Sequence, residues 1–282
     1  MLDFDWRGRL VTAGLTLPCT ESYGAVAMTS PLPAVPDFTS TADVPCWRIH
    51  DGEAIVAFST RLGGVSAPPF DTLNLGRSTE DDPAAVTENR RRLLVALAVD
   101  PTRLATAGQV HGTDLRQART PELHPACDGL WTSERGLGLA VTGADCMPIA
   151  YVASGLVAVA HSGWRGTAAG MPVRALETVT RGAGVGPERV HVYVGPSIRT
   201  CCYRVGDDVA RQFPAAALQR RDGAWHLDLV AAARIQLAHA GADPAHVVDL
   251  LECTACTPSR YFSHRRDAGR TGRQWAVAAL QA

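Results

Sequence analysis

Residues 155–167 read GLVAVAHSGWRGT. An apolar run stops at His161, and a turn of Gly, Trp and Arg follows. A short apolar run of this kind, bounded by turn residues, reads as a buried strand. GLGLAVTGAD at 136–145 has the same form and leads into Cys146. Further strands are expected at EAIVAFST (53–60), ERVHVYVGP (188–196) and AHVVDLLE (245–252).

Between them lie helical segments. DDPAAVTENRRRLLVALAVD (81–100) offers Asp82 as N-cap and Pro83 at the first helical position. AAGMPVRALETVTRG (168–182) reads as a helix stopping at Gly182, and HLDLVAAARIQLAHAG (226–241) as one ending at Gly241. GDDVARQF (206–213) starts a helix capped by Asp207, and Gly166 and Thr167 open another after His161. The linkers are irregular, which favours an α+β fold over a simple doubly wound sheet: a mixed β-sheet sandwich flanked by helices, in a single domain. Residues 1–45 are rich in Pro, Thr, Ser, Ala and Gly and read as an extended or poorly ordered arm. The folded domain is expected over 46–282.

Composition removes several classes of function. The 282 residues are 46% hydrophobic and 20% charged with a net charge of −1, so no broad basic field exists for nucleic acid. No apolar run approaches the roughly 18 residues of a membrane helix, and LVTAGLTLP is a poor secretory signal, so a cytoplasmic protein is expected. The chain contains no lysine; all 27 basic residues are arginine. That excludes a lysine Schiff base and a P-loop. Any bound anion must be held by arginines and backbone N–H groups. Eight cysteines without a secretion signal argue against a disulfide framework.

Three polar residues occur in similar contexts. His111 follows ATAGQV, Cys146 follows GLGLAVTGAD and His161 follows GLVAVA. Each stands at or near the end of an apolar segment and is followed by Gly, Pro or Ser. Two His and one Cys leave a fourth position open on a tetrahedral zinc, the pattern of a catalytic site. Any one of them alone would read as a buried, hydrogen-bonded residue. There is no H-E-x-x-H, no deaminase H-x-E with P-C-x-x-C, and no His-x-His pair for a copper cluster. CTAC (253–256) is a single C-x-x-C, too little for a structural zinc, and reads as packing. Arginines meet glycines in FSTRLGGVS (58–66), which carries Arg61, and in YFSHRRDAGRTGRQW (261–275), which carries Arg265, Arg266, Arg270 and Arg273. Arginine suits bidentate phosphate contact, and the alternative is a solvated charged turn paired with Asp267.

The motifs FSTRLGGVS, LNLG, QVHGTDL, CDGLWT, ADCMPI, AVAHSGWRGT, VGPSIRTCCYRVGDDV and FSHRRDAGRTGRQWAV resemble, in order, those of the laccase-domain family, whose members are also called multicopper polyphenol oxidases or purine nucleoside phosphorylases. The resemblance runs from about Cys46 to the C-terminus. It departs at TGADC, where TADC is usual, and at CTAC, where only the first Cys-Thr agrees. It implies an α/β/β/α sandwich shared with the catalytic domain of cytotoxic necrotizing factor toxins. It also implies a zinc site of His111, Cys146 and His161, and phosphorolysis of adenosine, inosine, guanosine and methylthioadenosine, with adenosine deamination besides. The partners are then a purine nucleoside and phosphate, in a monomer or homodimer.

On that basis Asp145 is a candidate acid or a carboxylate orienting a histidine, and Arg61, Arg265 and Arg266 are candidate contacts to the substrate anion. Three other readings stay open. Cys146 and His161 alone would make a metal-free Cys–His amidohydrolase, the chemistry of the toxins sharing the fold. A copper polyphenol oxidase follows from the family's older name, but the clustered histidines it needs are lacking. A non-enzymatic binding module would need none of these residues for turnover.

Overall fold

The structure, a computed structural model, describes residues 32–39 and 43–282. The expectation for the arm at 1–31 and 40–42 lies outside them. One seven-stranded sheet contains β1 (Asp37–Thr39), β2 (Cys46–Asp51), β3 (Ala54–Ser59), β4 (Leu104–Ala107), β6 (Leu123–His124), β8 (Gly138–Gly143) and β16 (Gln274–Leu280), in the spatial order β1-β2-β3-β16-β8-β4-β6. A six-stranded sheet contains β5 (Leu115–Gln117), β7 (Gly129–Thr132), β9 (Met147–Ala153), β10 (Leu156–Ser162), β11 (His191–Val194) and β15 (Val247–Asp249), in the order β15-β11-β9-β10-β7-β5. A small sheet of β12 (Arg204–Val205), β13 (Leu218–Arg221) and β14 (Ala224–Leu227) stands apart from these.

The layers follow from side-chain alternation along each strand. In β10, Val157 and Val159 meet Leu139 and Val141 of β8 and Ala276 and Ala278 of β16, so the two large sheets share one core. The alternate residues Leu156, Ala158 and Ala160 pack on the other side against α3 (Met171–Ala183) and α5 (Leu229–His239). On the outer face of the first sheet, Ile55, Ala57, Trp275 and Val277 meet Leu93, Leu94 and Leu97 of α1 (Pro83–Ala96) and its end. The result is helix, sheet, sheet, helices. Both faces of β8, β9, β10 and β16 are buried, which is why their sequences read as unbroken apolar runs. Fully burying one such Leu or Val side chain stabilises by about 1.5–3 kcal/mol.

Asp82 caps α1 as expected, its Oδ1 accepting from the Ala84 N–H at 2.9 Å, with Pro83 first in the helix. Other boundaries move. The helix after His161, α2 (Trp164–Ala168), starts at Trp164 with Gly163 as its N-cap, not at Gly166 and Thr167. α3 passes through Gly182 and ends at Gly184, which has φ +67°; Gly182 is the flat spot where Leu156 and Trp131 pack on the helix. α4 (Asp207–Ala210) is capped by Gly206, with Asp207 already inside it. The domain also begins before Cys46. β1 pairs antiparallel with β2, and the Ala34 N–H donates to the Tyr193 hydroxyl at 3.0 Å. A three-residue strand held by edge pairing has no periodicity to betray it in a Pro-rich stretch.

One topological feature places the site. β4, β6 and β8 run parallel in the first sheet. After each of them the chain crosses to the second sheet, into β5, β7 and β9. The three crossovers therefore leave from the same end of the sandwich. β10 runs antiparallel to β9 and returns to that end with His161.

Candidate active site

The crossovers carry the chemistry: His111 in the first, Asp128 in the second, Asp145 and Cys146 in the third. His161 at the end of β10 completes the set. The ligand-capable atoms of His111, Cys146 and His161 all lie within 4.8 Å of one another. The two imidazoles meet edge-on, their centroids 5.0 Å apart at 84°. His161 is buried, Cys146 half-buried and His111 exposed. The three expected ligands are thus brought together from strand ends distant in sequence.

Asp128 organises them, and sequence reasoning missed it, although it stands in the CDGLWT motif. It is fully buried. Its Oδ1 accepts from the His111 N–H at 2.9 Å and pairs with His161 Nδ1 at 2.9 Å. Its Oδ2 accepts from the Gly112 N–H at 2.7 Å and the Val110 N–H at 3.1 Å. Its carbonyl accepts the His161 N–H at 2.7 Å. Burial alone would raise its pKa; the bonds from His161 and these backbone groups outweigh that and hold it low. An ionised carboxylate can only accept, so His161 carries its proton on Nδ1 and turns Nε2 to the cluster.

The loop holding His111 is wound tightly. Gln109 and His111 have φ of +56° and +64°, in the left-handed region that non-glycine residues disfavour. The cost is met by Asp128 and by Gln109, whose amide donates to the Thr142 carbonyl at 2.7 Å and accepts from the Thr142 N–H at 2.8 Å. Asp145 likewise has φ +90°. At Gly163, an added Cβ would stand 2.9 Å from Cys146 Sγ and 3.5 Å from His111 Cδ2, so glycine keeps the space beside the cluster open.

Electrostatics favour a thiolate here. Burial would raise the Cys146 thiol, but His161 and His111 overcome it and bring it down to about 6. Burial would lower His161, but the Cys146 charge and the bond to Asp128 lift it to about 9. Two imidazoles and one thiolate within 4.8 Å, with one imidazole backed by a carboxylate, make a donor set suited to a borderline-soft divalent ion such as zinc.

The cluster opens into a cavity of about 600 Å³. Arg77, Arg90, Arg165, Arg265 and Arg273 line it, with His264, Trp164 and Tyr203. Arg273 Nη1 donates to the Thr271 and Gly272 carbonyls at 2.8 and 2.9 Å; burial lowers its pKa, while the charges of Cys146 and Asp145 act to raise it. Gly76 makes room for this side chain, since a Cβ there would meet Arg273 Cγ at 2.7 Å. Arg90 donates from Nε and Nη2 to the Leu75 carbonyl and lies over the Trp275 ring at 4.6 Å. Arg77 follows Gly76 as a single arginine and Arg90 heads the run Arg90–Arg92 on a helix, so neither stands in the two Gly- and Arg-rich stretches; their places after LNLG and in the NR of α1 were the available signal.

Of Arg61, Arg265 and Arg266, the three candidate contacts to the substrate anion, Arg265 alone lines the cavity. Its Nη1 donates to the Arg204 carbonyl at 2.7 Å and its guanidinium lies 5.2 Å from the Tyr203 ring centre. Arg61 and Arg266 do not line it. Arg61 donates to the carbonyls of Asp71 (2.7 Å) and Pro258 (3.0 Å), pairs with the Asp71 carboxylate at 3.1 Å and covers Phe262. Arg266 is bound to Asp267 and to the carbonyls of Thr254 and Tyr261. Both are clamps between loops. Arg270 pairs at the surface with Glu80. Asp145 lines the cavity, but its carboxylate accepts from the Thr254 hydroxyl and the Arg265 N–H, each at 2.6 Å. It fixes loops; the carboxylate that orients a histidine is Asp128.

The sequence profile described as multi-copper polyphenol oxidoreductase laccase matches residues 55–281. A Deinococcus radiodurans protein named purine nucleoside phosphorylase is 43% identical over 231 residues, covering 79% of this chain and 88% of that protein. The Geobacillus stearothermophilus purine nucleoside phosphorylase YlmD is 38% identical over 243 residues, covering 79% and 89%. The crystal structure of that YlmD superposes with a TM-score of 0.81 at 35% identity, covering 88% of this chain and all of YlmD. The Bacillus licheniformis hypothetical protein YfiH gives 0.81 at 31% identity, over 86% and 99%. This chain is a member of the multi-copper polyphenol oxidoreductase laccase family.

Proposed function

We propose that this protein is a zinc-dependent purine nucleoside phosphorylase, acting in the cytoplasm on adenosine, inosine, guanosine and methylthioadenosine, with adenosine deamination as a second activity. The observation that carries this is the placement of a His, Cys, His donor set at one end of an arginine-lined cavity. The relatives' names, purine nucleoside phosphorylase, support the phosphorolysis part of this reading.

In phosphorolysis a phosphate oxygen bonds to the anomeric carbon as the bond to the purine nitrogen breaks, and the purine leaves with a proton. The sugar passes through an oxocarbenium-like state. A zinc ion held by His111, Cys146 and His161 would supply Lewis acidity. Arg77 and Arg273 have guanidinium N–H groups left over for phosphate, and phosphate binding there places its negative charge next to the cationic sugar. Arg265 and Arg165 border the same space, stacked on Tyr203 and Trp164. Asp128 holds His161 in one tautomer and fixes the His111 backbone. Asp145 holds the Arg265 backbone N–H and the Thr254 hydroxyl, which gives it a positioning role beside Cys146.

The test is product analysis with adenosine, with and without phosphate. Adenine and ribose 1-phosphate are expected with phosphate, and inosine without it. Neither product appearing overturns the substrate class. One zinc and no copper at this site, in protein purified without added metal, disposes of oxidase chemistry.

One observation favours a second reading. Asp128, His161 and Cys146 form a carboxylate–imidazole–thiolate series with the thiol lowered to about 6, the arrangement of a cysteine amidohydrolase. Activity that survives thorough chelation and is abolished by a thiol alkylator would overturn the zinc reading.

A further inference from the structure

Four cysteines outside the active site converge. The sulfurs of Cys201, Cys202, Cys253 and Cys256 all lie within 4.8 Å of one another. Cys256 Sγ is 3.2 Å from Cys201 Sγ and 3.1 Å from Cys202 Sγ. The CTAC motif is therefore not the isolated pair that its sequence suggests. The adjacent Cys201 and Cys202 supply the second pair from another loop.

We propose that these four cysteines form a second metal site, a closed tetrathiolate that holds zinc for structure rather than catalysis. Four sulfurs bound at about 2.3 Å in a tetrahedron lie about 3.8 Å apart, inside the span that this cluster already has. Structural zinc sites use four protein ligands, and catalytic sites leave one position open. The first cluster has three donors and a cavity; this one has four, and none of its cysteines lines that cavity. A disulfide accounts for the geometry less well. Cys201 and Cys202 stand equally close to the one Cys256 sulfur, and a bridge to either leaves the other thiol pressed against it. Metal binding uses all four: four thiols and one divalent cation become a tetrathiolate complex of net charge 2− and four released protons.

The location gives the site a purpose. Cys201 and Cys202 lie between Ile198 and Tyr203, which line the cavity, and Cys253 and Cys256 lie on the stretch leading to His264 and Arg265, which line it too. The two stretches meet in a bridge between Ser197 and Cys253, and the Thr254 N–H donates to the Ser197 carbonyl at 3.1 Å. Asp145, next to Cys146, binds both stretches: its carbonyl accepts the Ile198 N–H and its carboxylate the Thr254 hydroxyl. Pairing is sparse there, since the segments around β12 and Cys253 are mostly turns. A cation joining them would pin one wall of the cavity from behind.

The test is metal counting on the full chain purified under reducing conditions with zinc supplied. Two equivalents of zinc are expected in the wild type, one in Cys256→Ser and one in His111→Ala. A Cys256→Ser protein that keeps every equivalent overturns the proposal. So does a His111→Ala protein with none, when the wild type holds one. A single equivalent lost in Cys256→Ser but kept in His111→Ala supports this site and removes the metal from the active site, so the two readings fail separately. Should Cys256→Ser not fold, cobalt loading of His111→Ala decides. The near-ultraviolet sulfur-to-cobalt absorbance of four thiolates is about fourfold that of the one thiolate in the active site. Absorbance from one thiolate or none, or a bridge to Cys256 found by mass spectrometry in the reduced preparation, overturns the tetrathiolate.

Discussion

The two donor clusters differ in how the chain builds them. His111, Cys146 and His161 come from strand ends at one end of the sandwich, held by a rigid frame and the buried Asp128. The four cysteines come from turns, with little regular structure behind them. The first cluster stands where geometry is imposed on it and one coordination position is left free. The second stands where geometry is lacking, and four ligands would supply it. Rigid strand ends hold a set of ligands incomplete; turns need the complete set to be held at all.

The strongest way to break this contrast is Cys146→Ala. Loss of the thiolate should remove one metal equivalent and lower phosphorolysis by about 10³-fold, the several kcal/mol that a Lewis acid contributes. Retained activity would mean that the three donors are not the reactive centre. Asp128→Asn comes next. The amide cannot accept from all of its present donors at once, and a 10- to 100-fold loss of metal affinity or kcat is expected. An unchanged affinity, measured by competition with a chelator, would show that the strand frame alone sets the ligands.

Arginines sharpen the same contrast between frame and site. Arg77→Ala removes a charged donor facing the cavity and should raise KM for phosphate about 10-fold or more. Arg61→Ala should leave that KM within twofold while lowering Tm by several degrees, because its guanidinium joins the loop after β3 to Asp71 and Pro258. The reverse pattern would restore Arg61 to the site and displace Arg77 from it.

Much of this was legible beforehand, for identifiable reasons. Strands buried on both faces announce themselves as apolar runs, so β3, β8 and β10 could be placed to within a residue or two. The three ligands could be found because each follows such a run. Asp128 could not, because an aspartate before glycine in a turn looks like any other, and its role exists only once three distant backbone N–H groups close around it. The arginines divided for a similar reason. Proximity to glycine marks a turn but not the direction a guanidinium takes: Arg61, Arg266 and Arg273 all donate to carbonyls, and of the three only Arg273 lines the cavity. CTAC failed as a pattern because its partners are adjacent cysteines in another loop, a pairing that only the fold creates.

The smallest effect tests the cavity wall from its other anchor. Asp267 accepts from Thr271 at 2.8 Å and pairs with Arg266 at 2.8 Å, tying together the loop that carries His264, Arg265 and Arg273. Burial would raise its pKa, but the Arg266 and Thr271 bonds outweigh that and hold it below the ordinary value near 3.9. A carboxylate whose folded pKa is depressed stabilises above its unfolded pKa and loses that contribution as pH falls through the folded value. Asp267→Asn should therefore lower stability by about 1 kcal/mol at pH 7, or roughly 2–4 °C in Tm. The gap between variant and wild type should close below about pH 4. A gap that stays constant from pH 7 to pH 3 would mean that the Asp267 side chain holds the loop through hydrogen bonds that do not need its charge.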